Sequence, residues 1–271
     1  MTYELIDCGS ELKLERFGSH TILRPCGQAI WRPKLIEPWN RAEYIFSREG
    51  KNHWKKVGKE SSWVIDFAGF KMKIEPTDFG HLGLFAEHRA LFEEIQQEVA
   101  KVKDFHFLNL FAYTGAATLA ASKAGARVCH VDASKKTVAW ARENAKLSDL
   151  EDRPIRWIID DVMKFLKREI ARGQRYHGIL LDPPSFGRGA QGQVFKIETD
   201  LLPLLEMCKE LLKDEGRFLF VSCHTPEITP LVLKELISQI FSPHVAIGEM
   251  SIKSQSGIDL PFGSFAKWRK P

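Results

Sequence analysis

From about residue 105 onward, short apolar runs alternate with stretches whose apolar residues recur every three or four positions. The runs at 105–111, 127–132, 155–160, 176–182 and 217–223 read as strands, and the stretches at 116–124, 134–147, 162–172, 198–213 and 228–240 read as helices. Such alternation predicts a mostly parallel sheet with helices on both faces, a doubly wound α/β domain. Two further strand-like runs, 245–252 and 264–268, would close the sheet at seven strands with an antiparallel edge pair. The texture before about Asp78 is different: β-like runs such as His20-Thr21-Ile22-Leu23-Arg24 and Ser62-Trp63-Val64-Ile65-Asp66-Phe67 are broken by Gly and Pro. This predicts a small β-rich N-terminal module over 1–78 and a Rossmann-like domain over 79–271. Trp31, Trp39, Trp54 and Trp63 form either the core of the module or a stacking surface.

Composition narrows the class. A chain of 271 residues with 44% apolar composition can bury one large core and a smaller one. No apolar run reaches the eighteen or so residues of a membrane span, and Met1-Thr2-Tyr3-Glu4 lacks the layout of a signal peptide, so a cytoplasmic protein without a membrane partner is expected. Cys8, Cys26, Cys129, Cys208 and Cys223 are odd in number, widely spaced and without a C-x-x-C pair, which argues against a disulfide framework and against a metal site. The net charge of +4 is too small to signal nucleic-acid binding alone. The segment 41–59 interleaves Arg41, Arg48, Lys51, Lys55, Lys56 and Lys59 with Tyr44, Phe46 and Trp54. That mixture suits phosphates and bases, while Glu43 and Glu49 leave a plain solvated face as the alternative.

Three short segments carry candidate chemistry. Asn109-Leu110-Phe111-Ala112-Tyr113-Thr114-Gly115 crosses from the first predicted strand to an Ala-rich helix, the place where an open α/β sheet binds ligands. Its single glycine departs from the G-x-G-x-x-G spacing of dinucleotide sites. Asp132 ends the second strand, where a carboxylate either accepts hydrogen bonds from a ribose or caps the next helix. S-adenosylmethionine, with a ribose and no phosphate, fits the pair. Asp182-Pro183-Pro184-Ser185-Phe186 ends the fourth strand, and the loop 187–193 behind it is Gly-rich, placed to fold over a substrate.

These residues resemble class I S-adenosylmethionine-dependent methyltransferases, and more closely the bacterial large-subunit (23S) ribosomal RNA methyltransferase family that includes the cytosine-5 enzyme. The resemblance covers roughly residues 60–240. It implies that Asn109, Phe111, Tyr113, Thr114 and Gly115 form the first cofactor motif, with Asp132, Ala133 and Ser134 the second. In the third, Asp160-Asp161-Val162, it gives a carboxylate to the adenine amino group and the next backbone N–H to a ring nitrogen, so that Asp161 and Val162 join the set. Asp182 heads the fourth. Phe85 and Arg89 lie in a segment similar to the one that closes over the cofactor in this family. The PUA-type RNA-binding module usual in members of ribosomal activity is not recognisable before Ser61.

The expected reaction is methylation of an RNA base, in the family ribosomal RNA. Asp182 and its prolines suit an exocyclic amine, and Phe186 can stack on a base that is single-stranded or flipped out. Pro183, Pro184 and Phe186 are the expected substrate contacts, although Asp182 also suits a plain turn former. Cys223, in Val221-Ser222-Cys223-His224-Thr225, stands where the cytosine-5 members carry their nucleophile. As a thiolate it would add to carbon 6 of cytosine and activate carbon 5; as a small packing residue it would leave a nitrogen-directed chemistry to Asp182. A small-molecule or protein methyltransferase would be favoured by an acidic, aromatic-poor N-terminal region, and this region is neither. A non-catalytic RNA-binding protein of the same fold would be expected to lose Asp132, Asp161 or Asp182, and all are present.

Overall fold

The computed structural model describes residues 2–188, 192, 194–241 and 243–270. The chain forms two compact units, Met1–Arg89 with Ser251–Phe262, and Ala90–Met250 with Gly263–Pro271. In the first, β1 (Tyr3–Gly9), β2 (Leu12–Phe17), β3 (His20–Pro25), β4 (Tyr44–Ser47) and β5 (His53–Lys56) pair in sequence order. A separate hairpin joins β6 (Trp63–Phe67) to β7 (Phe70–Ile74). Alternation at period two decides its faces: Trp63, Ile65, Phe67, Phe70, Met72 and Ile74 are buried, while Val64 and Asp66 are exposed.

The four tryptophans are internal anchors of this unit. Their indole N–H groups donate to Cys8 O (3.0 Å), Asp7 Oδ2 (3.2 Å), Thr77 O (2.9 Å) and Phe17 O (2.9 Å), from Trp31, Trp39, Trp54 and Trp63 respectively. Asp7, fully buried, also accepts from Leu35 N and from Ser256 Oγ at 2.6 Å, and Gln255 N donates to Leu5 O. These bonds hold residues 251–262 in the first unit. Deeper in, Arg24 donates through Nε and Nη2 to Glu15 (2.7 and 2.8 Å), and Tyr3 OH donates to the same carboxylate. Burial works to raise the Glu15 pKa, but Arg24 and Lys13 outweigh it and hold the carboxyl below its usual value.

The second unit carries the predicted sheet. The sheet's strands are β8 (His106–Leu110), β9 (Arg127–Asp132), β10 (Ile155–Ile159), β11 (Gly178–Leu181), β14 (Phe218–Cys223), β15 (Val245–Lys253) and β16 (Asp259–Arg269), the end of β15 and the start of β16 being counted with the first unit. Their order is β10-β9-β8-β11-β14-β16-β15; β10, β9, β8, β11 and β14 run parallel, and β16 is antiparallel to β14. The order reverses between β8 and β11, the switch point at which such sheets open a crevice beyond their carboxyl ends. The helices are α1 (Arg89–Ala100), α2 (Ala116–Lys123), α3 (Lys135–Leu147), α4 (Val162–Ala171), α5 (Ile197–Leu211) and α6 (Pro230–Ile240). Side chains of Ser134, Asp161 and Thr229 cap α3, α4 and α6.

Two elements were not expected from the sequence. Helix α1 precedes the first sheet strand, and the Gly-rich stretch is flanked by a hairpin of β12 (Phe186–Arg188) and β13 (Val194–Lys196). Four of its residues, Gly189, Ala190, Gln191 and Gln193, lie outside the described residues, so the lid expectation is addressed only at its two shoulders. Among the described residues no helix is long and apolar enough to cross a membrane.

Because Glu15 and Arg24 are both buried, removing one partner strands the other's charge. Arg24→Leu is expected to cost about 3–5 kcal/mol, read as a lower denaturant midpoint of the N-terminal unit.

Candidate functional site

Within the second unit, the carboxyl ends of β8, β9, β10, β11 and β14 bring most of the predicted residues together. The loop after β8 is held in an unusual backbone: Phe111 (φ 53°), Tyr113 (φ 49°) and Gly115 (φ 87°) are all left-handed. For Phe and Tyr this costs about 1–2 kcal/mol each, so the surroundings must hold the loop in place. Tyr113 N donates to Asp132 Oδ2 at 2.9 Å, Ala112 N to Val131 O at 3.0 Å, and Asn144 Nδ2 of α3 to Thr114 O at 2.9 Å. A Cβ on Gly115 would lie 3.0 Å from the Ala141 Cβ, so loop and helix α3 touch at the glycine.

Asp132 joins two motifs. Besides Tyr113 N, its carboxylate accepts from Ser134 N and Thr137 Oγ1, each at 2.9 Å. The cap of α3 is Ser134, whose Oγ accepts from Thr137 N at 3.3 Å. Three of the roughly four lone-pair positions on Asp132 are thus filled from the protein, and the half-buried group retains acceptor capacity toward a diol. Ala133 is half-buried in the turn between.

At the third strand end, Asp161 caps α4 through Oδ1 to Lys164 N at 3.0 Å. Its neighbour Asp160 is occupied, accepting from Asp161 N and pairing with Arg168. Val162 is the first residue of α4, where a backbone N–H has no acceptor within the helix.

Asn109 sits one layer down. Its side chain, buried in β8, donates to Thr118 Oγ1, which bonds His130 Nδ1, each at 2.9 Å. This chain fixes α2 and β9 beneath the loop, and His130 Cε1 lies 3.6 Å from the point where a Gly115 Cβ would stand. The opposite ring nitrogen of His130, Nε2, is buried with no hydrogen-bond partner among the described residues. Burial, with a smaller contribution from Arg142, pushes the His130 pKa down to about 3. Thr118, His130 and Asn144 were not singled out from the sequence; polar residues at buried strand and helix positions were the available signal.

At the fourth and fifth strand ends, Asp182 accepts a hydrogen bond from Ser222 Oγ at 2.8 Å, with His224 Nε2 at 3.7 Å. Ser185 Oγ and Thr225 Oγ1, 2.6 Å apart, tie the two loops together. Pro183 is buried, Pro184 is exposed, and Phe186 is 50% exposed. Phe111 packs on Phe195 of β13, with ring centroids 5.2 Å apart.

Cys223 has a different setting. Side chains alternate along β14, so Leu219, Val221 and Cys223 share the face that packs into the core with Ile228, Leu233 and Ile237, whereas Ser222 turns to Asp182. Cys223 is wholly buried, and burial pushes its thiol pKa up, against the thiolate that an adduct needs. Phe85 and Arg89 belong to the first unit, where Phe85 lies against His81 and Arg89 over the Phe67 ring at 5.8 Å.

The polar chain beneath the loop has a pH consequence. An unfolded histidine takes up a proton near pH 6.5, and folded His130 refuses it until about pH 3. Stability is therefore complete above pH 6.5 and falls as pH drops through that window, by up to ~1.4 kcal/mol per pH unit. Urea unfolding at pH 7 and pH 5 is expected to show a larger loss for the wild type than for His130→Asn.

Comparison with known proteins places the chain. Residues 87–216 match the family described as conserved hypothetical protein 95. The ribosomal RNA large subunit methyltransferase K/L of Pseudoalteromonas translucida is 32% identical over 189 residues, which are 68% of this chain and 26% of that protein. The protein of the same name from Pseudomonas paraeruginosa is 34% identical over 63% of this chain and 23% of its own length. The chain thus spans about a quarter of the length of these curated relatives. Over nearly its whole length it is similar to a crystal structure of a SAM-dependent methyltransferase from Agrobacterium tumefaciens, with 37% identity, a TM-score of 0.95, and 99% of this chain and 90% of that one covered. A putative SAM-dependent methyltransferase from Streptococcus mutans, 17% identical with a TM-score of 0.78 over 98% of this chain and 74% of that one, shares the fold. With its seven-stranded sheet, its left-handed glycine loop and this similarity across both units, the chain belongs to the S-adenosylmethionine-dependent methyltransferases.

Proposed function

We propose that the chain methylates a ring or exocyclic nitrogen of an RNA base, with ribosomal RNA the first acceptor to test, and that it works in the cytoplasm. The observation that carries the choice of atom is the opposite facing of neighbours on β14: Ser222 meets Asp182, and Cys223 is sealed in the core. The relatives named ribosomal RNA large subunit methyltransferase K/L support the RNA acceptor.

The residues present fit the cofactor. A left-handed Gly115 keeps the loop open to close backbone approach, and the half-buried Asp132 retains acceptor capacity for a ribose diol. Asp161 and the Val162 N–H, at the amino end of α4, would receive the adenine edge. S-adenosylmethionine supplies a methyl group on a positively charged sulfur, already activated for displacement. What remains for the chain is to hold the nitrogen in line with that methyl group and exclude water. Asp182, with Oδ1 oriented by Ser222, accepts a hydrogen bond from the base's amine and aims its lone pair. Pro183 and Pro184 stiffen the turn, and exposed Phe186 offers a face to the base. The basic side chains Arg48, Lys51, Lys55, Lys56 and Lys59, all exposed, would meet the RNA backbone, although Lys55 already pairs with Glu49 at 2.5 Å and Lys56 donates to Ala42 O.

The decisive measurement is mass spectrometry of ribosomal RNA from cells lacking the protein, with rescue by variants. Asp182→Ala is expected to abolish the modification, whereas Cys223→Ala should retain most of it and lose only the stability of a small core truncation. A covalent adduct trapped on 5-fluorocytosine RNA, together with a dead Cys223→Ala, would replace the nitrogen reading by the cytosine-5 one. In calorimetry, Asp132→Ala should weaken S-adenosylhomocysteine binding by about 1.5–3 kcal/mol. Folded wild-type protein that binds no cofactor at millimolar concentration would exclude the site.

A further inference from the structure

At the other end of the sheet from the crevice, the amino ends of β8, β9 and β10 surround a cavity of about 410 Å³. Its lining includes His106, Arg127, Arg153, Arg156 and Gln174, and no carboxylate. Two acids outside the lining pair with it, Asp104 exposed and Glu169 buried. Asp104 takes Arg127 at 2.5 Å and lies 3.6 Å from His106. Glu169, whose side chain is completely buried, accepts from both arms of Arg156 (2.8 and 3.0 Å), from Arg172 at 3.2 Å and from Tyr176 OH at 2.6 Å. A single buried carboxylate therefore holds two guanidinium groups, and Arg153 has no ion-pair partner among the described residues. The cavity is left with an excess of positive charge: Arg156 is held from behind by Glu169, Arg127 pairs with the exposed Asp104, and Arg153 carries its charge unpaired among the described residues.

Three guanidinium groups around a concave space make a surface dominated by charged donors, and the ligand that answers it is a group with several acceptor oxygens and negative charge. The volume falls within the range of small-ligand sites and exceeds what a bare ion needs. We propose that this cavity binds the phosphate of a nucleotide unit, either a phosphodiester of the RNA acceptor or a free nucleoside monophosphate. Arg153 and Arg127 contact the phosphate, and Arg156, braced by Glu169, forms the wall behind it. The site is separate from the methyl-transfer crevice, so its failure and that of the acceptor assignment can be told apart.

The test compares wild type with the Arg127→Ser/Arg153→Ser double variant, which leaves the buried Glu169 cluster intact. Three probes are titrated: a labelled single-stranded dodecamer of RNA by fluorescence anisotropy, and adenosine 5′-monophosphate and inorganic phosphate by calorimetry. S-adenosylhomocysteine affinity and circular dichroism, expected unchanged, serve as controls for folding. The expected result is a loss of about tenfold in affinity for the nucleotide-bearing probes, with the RNA salt slope reduced by ~0.7 for each phosphate contact removed. Loss for RNA alone identifies the polynucleotide backbone as the source, and loss for the mononucleotide as well identifies a site open to free nucleotides. Equal affinities of wild type and variant for all three probes would overturn the proposal.

Discussion

The crevice depends on one carboxylate. Asp132 accepts from the Tyr113 backbone on one side and from Ser134 and Thr137 on the other, and so locks the strained loop after β8 to the first turn of α3. Three left-handed residues within five positions would not persist in an isolated segment, because each non-glycine one opposes the ordinary steric preference of an L-residue. They persist because Asp132, Asn144 and the Ala112–Val131 bond fix the loop from neighbouring elements. A rigid sheet edge is what makes such strain affordable, and pre-shaped loops bind without a further ordering cost.

The sheet was legible in the sequence because its strands are buried on both faces and read as continuous apolar runs, and because the helices between them have caps written in Ser134, Asp161 and Thr229. The predicted tail strands gave the antiparallel β16 partner of β14, as expected from their position after the last helix. Periodicity missed α1, and it missed the hairpin of β12 and β13, since three-residue strands flanking glycines carry no measurable alternation. For Asp132 the sequence left a choice between ribose acceptor and helix cap. The structure shows why the choice was ill-posed: the group braces the loop and the helix start together, and Ser134 is the cap proper.

Cys223 shows how much a motif's meaning depends on the facing of a single residue. A strand turns successive side chains to opposite faces, and the facing is set by the whole run Phe218 to Cys223. Leu219, Val221 and Cys223 pack into one core cluster, while Ser222, equally buried on the opposite face, donates to Asp182. The tryptophans of the N-terminal unit make a similar point. Composition allowed either burial or a stacking face, and the structure gives all four indole N–H groups internal acceptors while burying Trp63 and half-burying Trp31, Trp39 and Trp54.

The return of residues 251–262 to the first unit has a kinetic meaning. Bonds from Gln255 to Glu4 and from Ser256 to Asp7 close over sequence separations of 251 and 249 residues. During synthesis at about 5–20 residues per second, buried Asp7 therefore waits roughly 10–50 s for its last partner. The first unit is completed only by residues 251–262, after most of the sheet domain has been made, and residues 263–271 of that domain follow. Assembly of the first unit thereby waits on synthesis of most of the sheet domain, a long-range closure of the kind that slows folding.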